Sequence, residues 1–171
     1  KYEWSKGFAA DVGVLQYYFP TSGATGFTTN PNSTELYAAQ NFTFDSVTGY
    51  LKFSYAVTTL FGFSNSSGSY YPDLTANVDT GVWGLVVNAH VGYQYVSNTQ
   101  TQSGVSYNFS YTDWKLGVTK DFGGGLSGNI SYVGTTNPKA GSSYLWSVPT
   151  SNGTSKSAGQ SGGLISLTKT F

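Results

Sequence analysis

Trp83-Gly84-Leu85-Val86-Val87-Asn88-Ala89-His90-Val91-Gly92-Tyr93-Gln94-Tyr95 is the stretch that decides the fold. Side chains of an extended chain point alternately to its two sides. Trp83, Leu85, Val87, Ala89, Val91, Tyr93 and Tyr95 therefore share one face, with aromatics at both ends and aliphatics between. Gly84, Val86, Asn88, His90, Gly92 and Gln94 share the other. An aliphatic band between two aromatic ends is what a strand facing lipid shows, with its polar side turned to a wet interior.

The same period of two recurs on both sides of this stretch and gives eight strands in all. The first, about Gly7 to Tyr18, sets Phe8, Ala10, Val12 and Val14 against Ala9, Asp11 and Gly13. The second, about Thr34 to Phe44, sets Leu36, Ala38, Phe42 and Phe44 against Glu35, Tyr37, Asn41 and Thr43. The third, about Tyr50 to Phe61, sets Leu51, Phe53, Tyr55, Val57 and Phe61 against Lys52, Ser54, Ala56 and Thr58. The fourth, about Ser69 to Asp79, sets Tyr70, Leu74, Ala76 and Val78 against Asp73, Thr75, Asn77 and Asp79. The stretch quoted above is the fifth.

The sixth strand, about Tyr107 to Phe122, sets Trp114, Leu116, Val118 and Phe122 against Asp113, Lys115, Gly117, Thr119 and Asp121. The seventh, about Leu126 to Val133, sets Leu126, Ile130 and Tyr132 against Ser127, Asn129 and Ser131. The eighth is the tail Ser161 to Phe171, with Ile165, Leu167 and Phe171 on the face that Lys169 interrupts. A last strand ending on Phe is how outer-membrane barrels commonly meet their assembly machinery.

Connections alternate in length. Tight turns near Asp45–Gly49, Thr80–Val82 and Gly123–Gly125 separate the longer loops Pro20–Ser33, Gly62–Gly68, Ser97–Ser106 and Gly134–Gln160. Short periplasmic turns with longer extracellular loops are the pattern of transmembrane barrels. Pro72 is the one proline outside the loops, near the outer end of the fourth strand, where a missing donor does least harm.

Composition agrees. Charged residues are 9% of the 171, against roughly 25% in soluble domains, and aromatics reach 17%. Net charge is zero and every basic residue is Lys, which argues against nucleic acid as a partner. Cysteine is absent, so neither disulfides nor thiolate chemistry enter. No apolar run approaches the roughly 20 residues of a membrane helix. Lys1 to Ser5 does not read as a signal peptide, so export is argued from the strands.

Few constellations compete with this reading. Gly123-x-Gly125-x-x-Gly128 has dinucleotide-fingerprint spacing, but a strand follows it where that motif needs a helix. His90 is the sole histidine, too little for a metal site, so no metal or cofactor is expected. Ser54, His90 and Asp73 share the inward side, yet a hydrogen-bonded lumen histidine is favoured over a catalytic triad, and no enzyme activity is expected. The Asn-x-Ser/Thr triplets, such as Asn32-Ser33-Thr34, read as chance in so Asn- and Ser-rich a chain.

Candidate lumen-lining residues are Asp11, Glu35, Asn41, Lys52, Asp73, Asn77, Asn88, His90, Gln94, Asp113 and Lys115. A mild cation preference follows if they conduct, since Asp11, Glu35, Asp73 and Asp113 outnumber Lys52 and Lys115. Asp73 faces His90 if the turn between them centres between Gly81 and Val82. The expected lipid-facing girdle is Phe8, Phe53, Tyr70, Trp83, Tyr93, Tyr95, Trp114, Phe122, Tyr132 and Phe171.

Gly68-Ser69-Tyr70-Tyr71-Pro72-Asp73-Leu74-Thr75-Ala76-Asn77 resembles the TorF-type family of porin-like proteins, also described as a bacterial family of unknown function (Gcw_chp). Similar stretches are Asp11-Val12-Gly13-Val14-Leu15-x-Tyr17-Tyr18, Thr34-Glu35-Leu36-Tyr37 and Ala89-His90-Val91-Gly92-Tyr93-Gln94. Tyr111-Thr112-Asp113-Trp114-Lys115-Leu116-Gly117-Val118 and Lys169-Thr170-Phe171 complete the set. The resemblance implies an outer-membrane barrel with a channel role, and no catalytic residues. Members of that family usually carry further strand-like sequence before the region of Gly7, so the chain is either a shortened relative with eight strands or part of a larger barrel of about 12.

The expectation is thus an all-β, antiparallel, up-and-down transmembrane barrel in the bacterial outer membrane, one domain over residues 1–171. Its lumen passes small hydrophilic solutes. The competing reading is a non-conducting barrel whose long loops bind a partner or neighbouring copies of the chain. An alkaline carbonate wash should leave the protein in the membrane fraction; recovery in the supernatant contradicts the barrel.

Overall fold

The computed structural model describes residues 1–20 and 30–171; part of the Pro20–Ser33 loop lies outside the described residues. The strands are β1 (Tyr2–Ser5), β2 (Phe8–Tyr17), β3 (Ser33–Phe44), β4 (Val47–Ala56), β5 (Tyr70–Asp79) and β6 (Leu85–Gln94). There follow β7 (Gln100–Gln102), β8 (Val105–Tyr107), β9 (Tyr111–Gly123), β10 (Leu126–Thr135), β11 (Lys139–Ala140) and β12 (Ser143–Tyr144). The last are β13 (Ser147–Pro149), β14 (Ser155–Ser157) and β15 (Gly162–Lys169).

Nine of these form one sheet in the order β1-β2-β3-β4-β5-β6-β9-β10-β15, every neighbour antiparallel. The other six make three small hairpins within the two loops that follow β6 and β10. Eight long strands match the eight expected, with shifted ends. The third, expected over about Tyr50 to Phe61, is β4 at Val47–Ala56, so Val57 and Phe61 (φ 47°) lie in the loop beyond it. The sixth begins at Tyr111 rather than Tyr107. The ninth, β1, is an addition: Tyr2, Glu3 and Ser5 pair with β2, and a register shift between Glu3 and Ser5 breaks the alternation that would have revealed it.

The tight turns all lie at one end of the sheet and the long loops at the other. Between β9 and β10, Gly124 and Gly125 both take positive φ (57° and 79°), as a two-residue type I′ hairpin requires. The fingerprint-like glycines are therefore a turn. Asp45, at φ 51°, helps make the Asp45–Ser46 turn, since a short polar side chain tolerates the left-handed region.

The turn after β5 is longer than its sequence suggests. Asp79 pairs with Val86, and Thr80–Gly84 form the connection, with Gly81 and Gly84 in the left-handed region. Two corrections follow. Trp83 lies in this turn at φ 55° and is 80% exposed, so it is no part of the strand whose face it was expected to begin. The register also moves by two residues: Thr75 is opposite His90, and Asp73 is opposite Gly92.

Pro72 sits inside a central strand, paired with Phe53 of β4. On the β6 side the continuous ladder begins only at Asp73, and a lone Tyr70–Tyr95 bridge lies beyond the proline. The missing N–H is absorbed as this short gap. Tyr95 accordingly lies just past β6, and Phe171 just past β15.

The two faces have opposite chemistry and opposite exposure. Val12, Val14, Leu36, Leu51, Leu74, Val91, Leu116, Val118, Ile130, Ile165 and Leu167 are exposed on the apolar face. Aromatics flank this band at both ends. Phe53, Tyr70 and Tyr95 stack in a row toward the loops, centroids 5.5 and 4.8 Å apart, and Trp114 meets Tyr132 at 5.3 Å. Phe8, beside Trp4 at 5.6 Å, and Phe122 stand toward the turns. Trp114 and Phe122 are separated by about 27 Å of strand. Among the described residues the buried hydrophobics are only Ala9, Ala56, Leu60 and Val96, whereas Glu35, Ser54, Asp73, Gln94 and Ser131 are buried on the polar face.

Leu116, mid-strand on the apolar face, gives a direct check. Leu116→Arg should cost about 2–4 kcal/mol in denaturant titrations of the protein refolded into vesicles. A sheet with its apolar face in water would tolerate the change.

Candidate functional site

The polar face carries a belt of charge across four neighbouring strands. Asp73 of β5 is only 4% exposed and lies at its centre. Its Oδ2 meets Lys52 Nζ from β4 at 3.5 Å and accepts the Tyr50 hydroxyl at 3.1 Å. Its Oδ1 accepts the Thr75 hydroxyl at 3.2 Å and lies 3.0 Å from His90 Nδ1 on β6. The other imidazole nitrogen, Nε2, is 2.7 Å from Asp113 Oδ1 on β9. Asp113 also accepts the Tyr71 hydroxyl, at 3.0 and 2.9 Å from its two oxygens.

One imidazole thus bridges two carboxylates, and both acceptors are satisfied when the ring carries two protons. The backbone makes room for this arrangement at Gly92, where a Cβ would lie 2.0 Å from the Tyr71 hydroxyl. Glycine there lets Tyr71 cross over β6 and reach Asp113.

Toward the tight turns the face carries a chain of amides and hydroxyls. Asn88 Nδ2 donates to Asn77 Oδ1 at 2.7 Å, and the Thr119 hydroxyl donates to Asn88 Oδ1 at 2.6 Å. Asn129 Nδ2 donates to Thr119 Oγ1 at 3.0 Å, and the Ser131 hydroxyl to Asn129 Oδ1 at 2.9 Å. Beside this chain lies a recess of about 360 Å³, lined mainly by Asn, Ser and Thr together with His90, Lys115 and Leu164.

Toward the loops the same face becomes apolar. Ala56, Leu60 and Val96 are buried together, with Phe63 and Phe109 packed on them. Trp146, from the long loop after β10, meets Phe63 and Phe109 edge-on at 5.5 Å each and donates its indole N–H to the Phe109 carbonyl at 3.3 Å. Serines fasten the loops to one another. Ser66 Oγ accepts the Leu60 amide at 2.7 Å, and the Ser97 amide donates to Ser69 Oγ at 3.1 Å. Ala56 and Val96 share the alternation of Ser54 and Gln94, so this cluster lies across the loop end of the polar face.

A family model described as a bacterial protein of unknown function (Gcw_chp) matches residues 1–171. The chain belongs to this family. Comparison with curated proteins and with solved structures gave no match.

In this Gcw_chp chain the expected lumen residues divide into groups. Lys52, Asp73, His90 and Asp113 come together in the belt, while Asn77 and Asn88 join the amide chain. Asp73 and His90 do meet, but diagonally, because the register brings Thr75 opposite the imidazole. Lys115 is the cross-strand partner of His90 and borders the recess. Asp11 accepts the Tyr37 hydroxyl at 3.4 Å, and Asn41 donates to the Ala9 carbonyl at 3.3 Å, both away from the belt. Glu35, opposite Ala56, and Gln94, whose amide donates to the Tyr70 and Tyr95 carbonyls, lie toward the loops. Ser54 is not among the partners of His90, whose ring nitrogens are taken by Asp73, Thr75, Asp113 and Tyr71.

Tyr71, Tyr50, Thr119 and Asn129 were missed as site residues. Tyr71 had a readable signal, since it shares the parity of Asp73, and Gly92 leaves the opposing space empty. Among the described residues no group of three His, Cys, Asp or Glu is placed to hold a metal ion.

Replacing the bridging ring tests the belt. His90→Leu leaves two carboxylates without a common donor and should cost about 1–3 kcal/mol, read as an earlier urea midpoint. An unchanged midpoint would show that the imidazole does not hold β5 to β9.

Proposed function

We propose that the chain builds the wall of a bacterial outer-membrane barrel whose lumen passes small hydrophilic solutes or ions passively. The observation that carries this reading is the inverted distribution of side chains. A continuous antiparallel sheet exposes its aliphatic band, as at Ile130 (65% exposed), and shelters its charges. Water penalises that arrangement and a bilayer favours it. Closed pairing of the backbone is what hydrocarbon requires of a spanning sheet, so barrel closure is part of the proposal. The aromatic rows at Phe53, Tyr70, Tyr93, Tyr95, Trp114 and Tyr132, and at Phe8 and Phe122, serve as its girdles. In this reading β15 and Phe171 engage the outer-membrane assembly machinery, and the surrounding partner is the lipid bilayer.

The second reading has an observation of its own. The Leu60, Phe63, Phe109 and Trp146 cluster lies across the loop end of the polar face, where it would cover the mouth of a lumen. A barrel so covered is structural, and its loops bind a partner or neighbouring copies. Reconstitution into a planar bilayer separates the two. Passive diffusion predicts discrete conductance steps that scale with salt concentration and need no added energy source. A silent bilayer containing correctly folded protein contradicts the channel and favours the capped barrel.

A further inference from the structure

The apolar face of the long strands carries two charges. Along its parity Lys120 of β9 and Lys169 of β15 are the only charged residues, and both lie toward the tight turns. At the same end β2 to β5 carry Phe8, Phe44, Val47 and Val78 on this face. The cations are thus gathered at one place.

The ladder sets their separation. Gly128 of β10 is opposite both Lys120 and Leu167, and Lys169 is opposite Leu126. Two strand spacings across and two residues along put the Cα atoms of the two lysines about 12 Å apart. A group between them is within reach of both four-carbon stems. Each stem bends toward the turns. Lys169 Nζ donates to the Gly124 carbonyl and lies 5.7 Å from the Phe171 ring centroid. Lys120 Nζ is 3.8 Å from where a Cβ on Gly84 would lie. A lysine on an apolar face brings its charge to a membrane interface in this way. Among the described residues no carboxylate pairs with either ammonium group. Asp121, next to Lys120, belongs to the other parity and accepts the Gly123 amide at 2.7 Å.

Between the lysines the face is hollow. Gly128 has no side chain, and Val118, Phe122, Ile130, Ile165 and Leu167 stand around it in a groove of about 510 Å³ that Lys120 borders. The Phe122 ring leans over the gap, since a Cβ on Gly128 would lie 3.2 Å from Phe122 Cε2. An apolar trough with two ammonium groups at its turn end complements a lipid whose headgroup is an anionic phosphodiester.

We propose that this groove binds one anionic phospholipid of the leaflet on the turn side, with its phosphate between Lys120 and Lys169 and an acyl chain over Gly128. The site rests on the reading of this face as turned to lipid, and it does not depend on whether the lumen conducts.

The chain has no cysteine, so bimane can be placed alone at Ile130→Cys, in the groove, or at Val78→Cys, on the same face three strands away. Protein refolded into phosphatidylcholine vesicles then receives brominated phosphatidylglycerol or brominated phosphatidylcholine in increasing mole fraction. At Ile130→Cys, half-maximal quenching is expected at an about fivefold lower mole fraction of the phosphatidylglycerol. At Val78→Cys the two lipids should quench alike. Lys120→Gln with Lys169→Gln should abolish the difference, and Lys120→Arg with Lys169→Arg should keep it. Unchanged quenching at Val78→Cys shows that these variants fold and insert. Equal quenching by the two lipids at Ile130→Cys, or a preference that survives Lys120→Gln with Lys169→Gln, overturns the site and leaves the lipid-facing reading standing. Quenching at Val78→Cys with none at Ile130→Cys means that a second copy of the chain covers the groove, and also overturns the lipid site. No quenching at either label overturns the lipid-facing reading and the site with it.

Discussion

One continuous antiparallel ladder from Tyr2 to Lys169 constrains everything else in this molecule. Among the described residues no helix packs on this sheet, and a side chain's surroundings depend largely on its parity along the strand. From β2 to β10 residues on one parity are the more sheltered and residues on the other are left outside, whereas β1 and most of β15 are exposed on both. The sequence places its aliphatics on the exposed parity and its acids, amides and hydroxyls on the sheltered one. That assignment cannot slip, because a shift of one residue would move every side chain to the opposite face.

Given that constraint, the sheltered face must satisfy itself. Burying Asp73 alone would be costly, and it is surrounded by Lys52, Tyr50, Thr75 and His90. His90 then carries the network on to Asp113, linking three strands that are consecutive in the sheet. Toward the turns the donors and acceptors are mainly amides and hydroxyls. On the other side the face ends in an apolar cluster contributed mostly by loops. The polar face therefore has three levels: aromatic toward the loops, charged in the middle, and rich in amides and hydroxyls toward the turns.

The strands and their facing were legible because lipid-type alternation repeats in all eight long segments, and family membership followed from stretches such as Tyr71-Pro72-Asp73 and Ala89-His90-Val91. Strand β1 was not legible, since its register shift breaks the period within four residues. Register at the Thr80–Gly84 turn was misplaced because Trp83 reads as a strand residue by hydrophobicity and gives no sign of its left-handed backbone. The belt's members could be named from parity, but their pairing could not. It depends on that register and on Tyr71 crossing Gly92, a tertiary contact. The same holds for the loop cluster, whose Trp146 and Phe63 are far apart in sequence.

The central claim is that the exposed parity faces hydrocarbon and the sheltered parity does not. The chain has no cysteine, so single cysteines can be introduced and labelled with bimane without background. The most direct measurement compares quenching by nitroxide-bearing lipids at Leu116, Val118 and Ile130 with quenching at Ser127, Asn129 and Ser166, in protein refolded into vesicles. Strong quenching of the first three and little of the second three is the predicted result. Equal quenching of both sets, or the reverse, would contradict the account.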